Sequence, residues 1–181
     1  MGKSLSAVLL AAGCLAVACR RGGSPAVVLA PSVLDSMNGA FARSNEHWDE
    51  LADLNTMERM LGTIRPTQRE FLGCLQGEVR GNEVRVDHLV PARDMKQLQL
   101  AVAGTCDGVP RLVGTWHTHP FRADLQNRPI KERRLSAQDL KTFGSSRLRV
   151  TLVMWDRDSV DAALRIRSGD LLVHPARVAV R

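Results

Sequence analysis

Residues 70–90 read Glu70-Phe71-Leu72-Gly73-Cys74-Leu75-Gln76-Gly77-Glu78-Val79, then Arg80 and the pair Gly81-Asn82, then Glu83-Val84-Arg85-Val86-Asp87-His88-Leu89-Val90. Two apolar-containing runs on either side of a Gly-Asn pair predict a β-hairpin. Upstream, Leu34, Met37, Phe41, Trp48, Leu51, Met57 and Leu61 recur at spacings near three, four and seven, which predicts an amphipathic helix. Ser32 with Asp35 gives it a capping-box start, Asn45 or Asn55 a break, and Pro66 an end. Its aromatic and Met stripe reads as core because nothing polar shares that face; Trp48, and Trp155 in Val153-Met154-Trp155, also read as core. Downstream, Arg111–His119 is a third strand candidate, Ser136–Phe143 a short helix, and Arg149–Trp155, Ser159–Arg167 and Asp170–Val180 alternate as strands. This order predicts an α/β fold: a mixed β-sheet flanked by helices, forming a single domain over residues 32–181.

The composition agrees with one folded domain. Of 181 residues, 44% are hydrophobic and 24% charged, which excludes a wholly disordered or collagen-like chain. The net charge of +6 is carried mostly by scattered arginines, with no Tyr and only 4% aromatic residues. A nucleic-acid surface wants clustered cations interleaved with stacking rings, so no nucleic-acid partner is expected.

Residues 1–19 differ from the rest. Lys3 precedes a run from Leu5 to Cys19 without charge, too short to span a bilayer at about 20 residues per helix. A positive start, an apolar centre and the small residues Ala16-Val17-Ala18 read as a signal peptide. Cys19 directly after them resembles a bacterial lipobox; Cys14 after Ala12-Gly13 is the alternative, and Arg20-Arg21 favours an uncleaved anchor or a buried helix instead. The expectation is export to the bacterial cell envelope as a lipoprotein or secreted protein, with a membrane anchor through Cys19 and a tether over residues 20–31; a cytoplasmic location is the alternative. Cys74 and Cys106 are expected to be buried free thiols, with pairing the alternative in an oxidising compartment.

Candidate chemistry concentrates between residues 114 and 139. In Gly114-Thr115-Trp116-His117-Thr118-His119-Pro120, two imidazoles at i and i+2 leave a strand on the same face, within reach of one metal ion. A His-x-His pair alone is equally an ordinary surface or core feature. Asp139, in Ser136-Ala137-Gln138-Asp139, is a candidate third ligand. Ser136-x-x-Asp139 is also a capping box, and the two readings are compatible. His47, His88 and His174 stand alone and are assigned nothing.

His117-Thr118-His119-Pro120, the downstream Ser136-x-x-Asp139 and the upstream Glu70-x-x-Gly73-x-x-x-Gly77 together resemble the JAB1/MPN/Mov34 metalloprotease family and its JAMM motif, over roughly residues 30 to 160. The resemblance implies an MPN/JAB-like, deaminase-like domain and a zinc-dependent hydrolase of peptide or isopeptide bonds. It further implies that His117, His119 and Asp139 hold one Zn2+ with a fourth position for water. Glu70 would be the general base and Ser136 the hydroxyl that stabilises the oxyanion. Glu78 and Glu83 are rivals of Glu70, but neither is followed by the glycine pair. The implied partner is a protein or peptide substrate.

One feature departs from the family pattern: fifteen residues, Phe121 to Leu135, separate Pro120 from Ser136. They are expected to loop out beside the site, an altered zinc geometry being the alternative. Arg122, Arg128, Lys131, Arg133 and Arg134 against Asp124 and Glu132 make the stretch net +3, suited to an acidic substrate face or simply to solvent. The alternative function is a non-catalytic, membrane-anchored MPN-like binding module, against which the complete residue set argues.

Overall fold

Ala26-Val27-Val28-Leu29 forms strand β1, buried at all four positions and paired in parallel with two neighbours. The computed structural model describes residues 24–46, 69–98, 101–124, 128–166 and 172–181. The tether expected over 20–31 is therefore corrected from residue 26 onward. A short apolar run bounded by Pro25 and Pro31 has the form of a buried parallel strand, whose two covered faces remove the alternation of a half-exposed one.

Helix α1, Pro31–Ser44, follows at once. Its start also corrects the sequence reading. Ala30 is the N-cap with no side-chain cap, and Pro31 opens the helix, its fixed φ and missing N–H being suited to the first turn. Val33, Met37, Ala40 and Phe41 form its buried face. The predicted continuation through Trp48, Leu51, Met57 and Leu61 to Pro66 lies outside the described residues.

The predicted hairpin is present as β2, Leu72–Arg80, and β3, Glu83–Pro91, turning at Gly81, whose φ of 62° suits glycine. A second ribbon, β4 (Arg93–Leu98) with β5 (Ala101–Thr105), adds two strands that the sequence pattern does not predict. The chain then runs through β6 (Leu112–Thr118), the two-residue strands β7 (Arg122–Ala123) and β8 (Pro129–Ile130), and helix α2 (Ala137–Ser145). It ends with β9 (Val150–Asp156), β10 (Ser159–Arg165), β11 (Leu172–Val173) and β12 (Arg177–Val180). The single strand expected over 170–180 is thus two.

Among the described residues, eight strands make one mixed sheet in the order β11-β10-β9-β6-β2-β3-β1-β12. It curls until its ends meet: Ala176, just before β12, donates its N–H to the Ala162 carbonyl on β10 at 2.8 Å. Alternation along the strands divides the core. Leu152 and Met154 of β9 face α1 with Trp116, Met37 and Phe41. Val153 between them faces α2 with Leu135, Phe143 and Ala163. Trp155 is half-buried beneath the Arg133 guanidinium, 5.6 Å from its ring centroid, and so stands at the edge of the core predicted for it. Cys74 and Cys106 form a disulfide, correcting the expectation of free thiols; it ties β2 to the end of β5.

Candidate metal centre

His117 stands opposite Leu72 of β2 and Val153 of β9, on the sheet face that α2 covers. Thr118 points to the other face. Its hydroxyl meets Ser44 Oγ of α1 at 2.6 Å and accepts the Phe71 N–H at 2.9 Å. His119 returns to the first face. The backbone between them is gripped from both sides, since Thr118 N–H donates to the Phe71 carbonyl and His119 N–H to the Met154 carbonyl. Asn45 Oδ1 then accepts the Phe121 N–H at 2.6 Å and fixes the exit after Pro120.

Both imidazoles are buried, at 8% and 7% exposure, which matters because polar groups so enclosed need partners. They face each other and Asp139. His117 Nε2 and His119 Nε2 are 3.2 Å apart; Asp139 Oδ1 lies 3.4 Å from the first and Asp139 Oδ2 3.5 Å from the second. The three donor groups fall within 4.8 Å of one another. A tetrahedral zinc with bonds of about 2.0–2.1 Å has ligand atoms about 3.3 Å apart, so the donor set fits that ion. His119 Nδ1 stands 3.2 Å from the Glu132 carbonyl. Donation there leaves the Nε2 lone pair directed at the Asp139 side of the site, as a ligand requires.

Asp139 is delivered by the helix start. Ser136 caps α2, accepting the Asp139 N–H on its Oγ at 3.1 Å, while Asp139 Oδ2 accepts the Ser136 N–H at 2.7 Å. The predicted capping box is present, and it fixes the same carboxylate that faces the histidines. The Ser136 hydroxyl acts as acceptor in that box, so its own proton is left to donate.

Glu70 lies just before β2, buried, in the same pocket. Its segment is held by Gln97 of β4, whose Nε2 donates to the Glu70 carbonyl at 3.0 Å. The glycines after it have packing reasons. A Cβ at Gly73 would collide with the Trp116 indole, and one at Gly77 would lie 1.8 Å from the Arg85 carbonyl oxygen. Glu78 and Glu83 pair with Arg80 and Arg85 at the turn end of the hairpin and do not line the pocket.

The electrostatics suit a base beside cation-binding ligands. Burial raises the Glu70 carboxyl above its ordinary range, and His117 and His119 only partly oppose this. Burial also disfavours a charged Asp139, yet hydrogen bonds from His117, His119 and Ser136 outweigh it and hold the carboxyl well below the usual range. For His119 burial likewise works against the charge, but Asp139 and the Glu132 carbonyl prevail and raise its pKa.

The pocket encloses about 540 Å³, with β5 (Ala101 to Gly104) on one side and Gln138, Thr142 and Phe143 of α2 on the other. The 121–135 stretch borders it with Arg122 and Glu132, which pair at 2.7 Å. Arg128 pairs with Asp124 and Lys131 with Asp156, so carboxylates answer three of the five cations. Sequence reasoning missed the Glu132 carbonyl, the β5 wall and Asp161, whose contact with His174 gives that histidine a partner. Only the alternation Asp161-Ala-Ala163-Leu-Arg165 hinted at the last.

No family model and no curated protein matches this chain. Among solved structures it is similar to protein DSY2949 from Desulfitobacterium hafniense, determined in solution, with a TM-score of 0.50 and 13% identity. The match covers 86% of this chain and 92% of that one. At such identity the likeness concerns the fold alone: a single α/β domain built on a curled mixed sheet.

Proposed function

We propose that the chain is a JAMM-type, zinc-dependent hydrolase of peptide or isopeptide bonds with an MPN/JAB-like domain. The observation that carries this reading is the convergence of His117, His119 and Asp139 donor atoms in a pocket that also holds Glu70 and Ser136. His117, His119 and Asp139 would hold the ion. Zinc bound there would supply Lewis acidity and lower the pKa of water to about 7. Glu70 takes the proton of the attacking water and passes it to the leaving amine, a role suited to a carboxylate whose pKa burial has raised. Ser136 donates its hydroxyl proton to the developing oxyanion beside the α2 N-terminus, where the helix dipole favours negative charge.

The deciding experiment is elemental analysis combined with a peptide-library cleavage assay. One zinc per chain, lost in His117→Ala and His119→Ala with circular dichroism unchanged, and cleavage by the wild type alone, is the expected result. A wild type without zinc removes the reading; zinc without any cleavage leaves the binding module.

We propose separately that the protein is exported to the bacterial envelope and anchored by a lipid on Cys19. The lipobox-like start and the Cys74–Cys106 disulfide support it, since structural disulfides persist in oxidising compartments. Mass spectrometry of the mature N-terminus is expected to find a modified Cys19; an intact Met1 with an unmodified Cys19 refutes the anchor.

A further inference from the structure

On β10, Asp161, Ala163 and Arg165 project to the face covered by α2, and each meets a different part of the chain there. Ala163 packs with Leu135, Phe143 and Val153. Arg165 donates to the carbonyls of Phe143, Gly144 and Ser146 where the helix ends. Asp161 Oδ2 accepts the Leu135 N–H at 2.9 Å, just before the helix begins, and lies 2.6 Å from His174 Nε2. β10 therefore holds both ends of the helix that carries Asp139.

Asp161 stands opposite Val153 on β9, and Val153 stands opposite His117 on β6. The carboxylate thus shares a row and a face with a metal-ligand candidate two strands away, about 10 Å by strand spacing. We propose that Asp161 is a positioning residue of the metal centre, setting where Ser136 and Asp139 stand against His117 and His119; this rests on the zinc reading above.

The reason lies in backbone accounting. Leu135 is buried at 4% exposure and belongs to neither strand nor helix, so its N–H needs an acceptor that no ladder provides. A carboxylate takes that donor and His174 together. The next amide, of Ser136, goes to Asp139 Oδ2. Two consecutive N–H groups thereby end on two carboxylates, one anchored in the sheet and one facing the histidines. At the last of the fifteen residues that follow Pro120, this anchor fixes the register at which α2 starts.

The test measures zinc affinity by chelator competition and amide hydrogen exchange on the full chain. Asp161→Ala is expected to weaken zinc binding by about 10- to 100-fold, the usual scale for partners behind the ligands. Asp161→Asn keeps an acceptor for Leu135 and should stay within a few-fold of wild type. Val84→Ala, a buried β3 position away from α2, is the stability control: it should lower Tm while leaving zinc affinity unchanged. Equal weakening by Val84→Ala at matched Tm, or wild-type affinity in Asp161→Ala, overturns the proposal. Exchange in the wild type needs no variant: the Leu135 amide should be protected like the β9 amides, and rapid exchange there overturns the proposal too. If the wild type binds no zinc, the zinc reading fails, and exchange at residues 135–139 decides for Asp161. Faster exchange in Asp161→Ala than in Val84→Ala then upholds its grip on the start of α2, and equal exchange refutes it.

Discussion

Gly73 and Trp116 are cross-strand partners on β2 and β6, and the indole occupies the space that a side chain at residue 73 would need. A Cβ there would stand 2.2 Å from Trp116 Nε1. Trp116 is buried at 1% exposure beside His117, so it has little room to yield. Gly73→Ala should therefore destabilise by about 1–3 kcal/mol, the range for overpacking a core. Denaturant unfolding with tryptophan fluorescence checks this; an unchanged midpoint would show that the indole repacks freely.

Glu70 lines the pocket without belonging to the cluster of donor atoms, so the proposed base and the proposed ligands can be tested separately. Glu70→Gln should retain a full equivalent of zinc and lose hydrolysis by roughly 10²-fold or more. Metal analysis and turnover on one preparation decide it. Loss of zinc, or wild-type turnover, contradicts the role.

On the zinc reading proposed above, the raised pKa of His119 gives metal binding a pH signature. In the zinc-free protein the hydrogen bond to Asp139 and the Glu132 carbonyl outweigh burial, so the imidazole keeps its proton above the ordinary histidine value. That added stability is fully present below about pH 6.5, the unfolded value, and fades as pH rises through the folded pKa. Zinc needs the neutral ring, so its uptake must expel this proton. Affinity should fall as pH drops, beginning above 6.5. Calorimetry at about pH 6.5, the ordinary histidine value, in buffers of different ionisation enthalpy is expected to show proton release; heats independent of the buffer contradict the assignment.

What the sequence disclosed follows from how local each signal is. His117 and His119 share a face by strand alternation, and Ser136 and Asp139 meet within one helical turn, so both halves of the site were legible separately. Their meeting rests on long-range packing of Leu135 and Phe143 against Val153 and Ala163, which no local pattern encodes. Asp161 reads as an isolated strand carboxylate because its partners lie at 135 and 174. β1 looks like tether in the sequence because four residues between prolines are too few for periodicity to act on. The β4–β5 ribbon was missed because Arg93-Asp94-Met95-Lys96-Gln97 carries little apolar alternation, and its contribution is a wall rather than core.

That wall is also where the disulfide acts. Cys74 sits on β2, Cys106 follows β5, and their separation of 32 residues encloses the whole β4–β5 ribbon. In the chain-entropy account a loop of this size is worth about 4 kcal/mol, by restricting the unfolded chain. For a domain of this length that corresponds to a fall of about 10 °C in Tm on reduction. Reduction should also speed amide exchange at residues 101–105, because the link between β5 and the main sheet is lost while the β4 pairing stays. Thermal melts with and without a dithiol reductant, paired with thiol labelling of the native protein, measure both effects. Labelling of Cys74 and Cys106 without reductant, together with a Tm indifferent to it, would show that the thiols are free and that packing alone holds the wall.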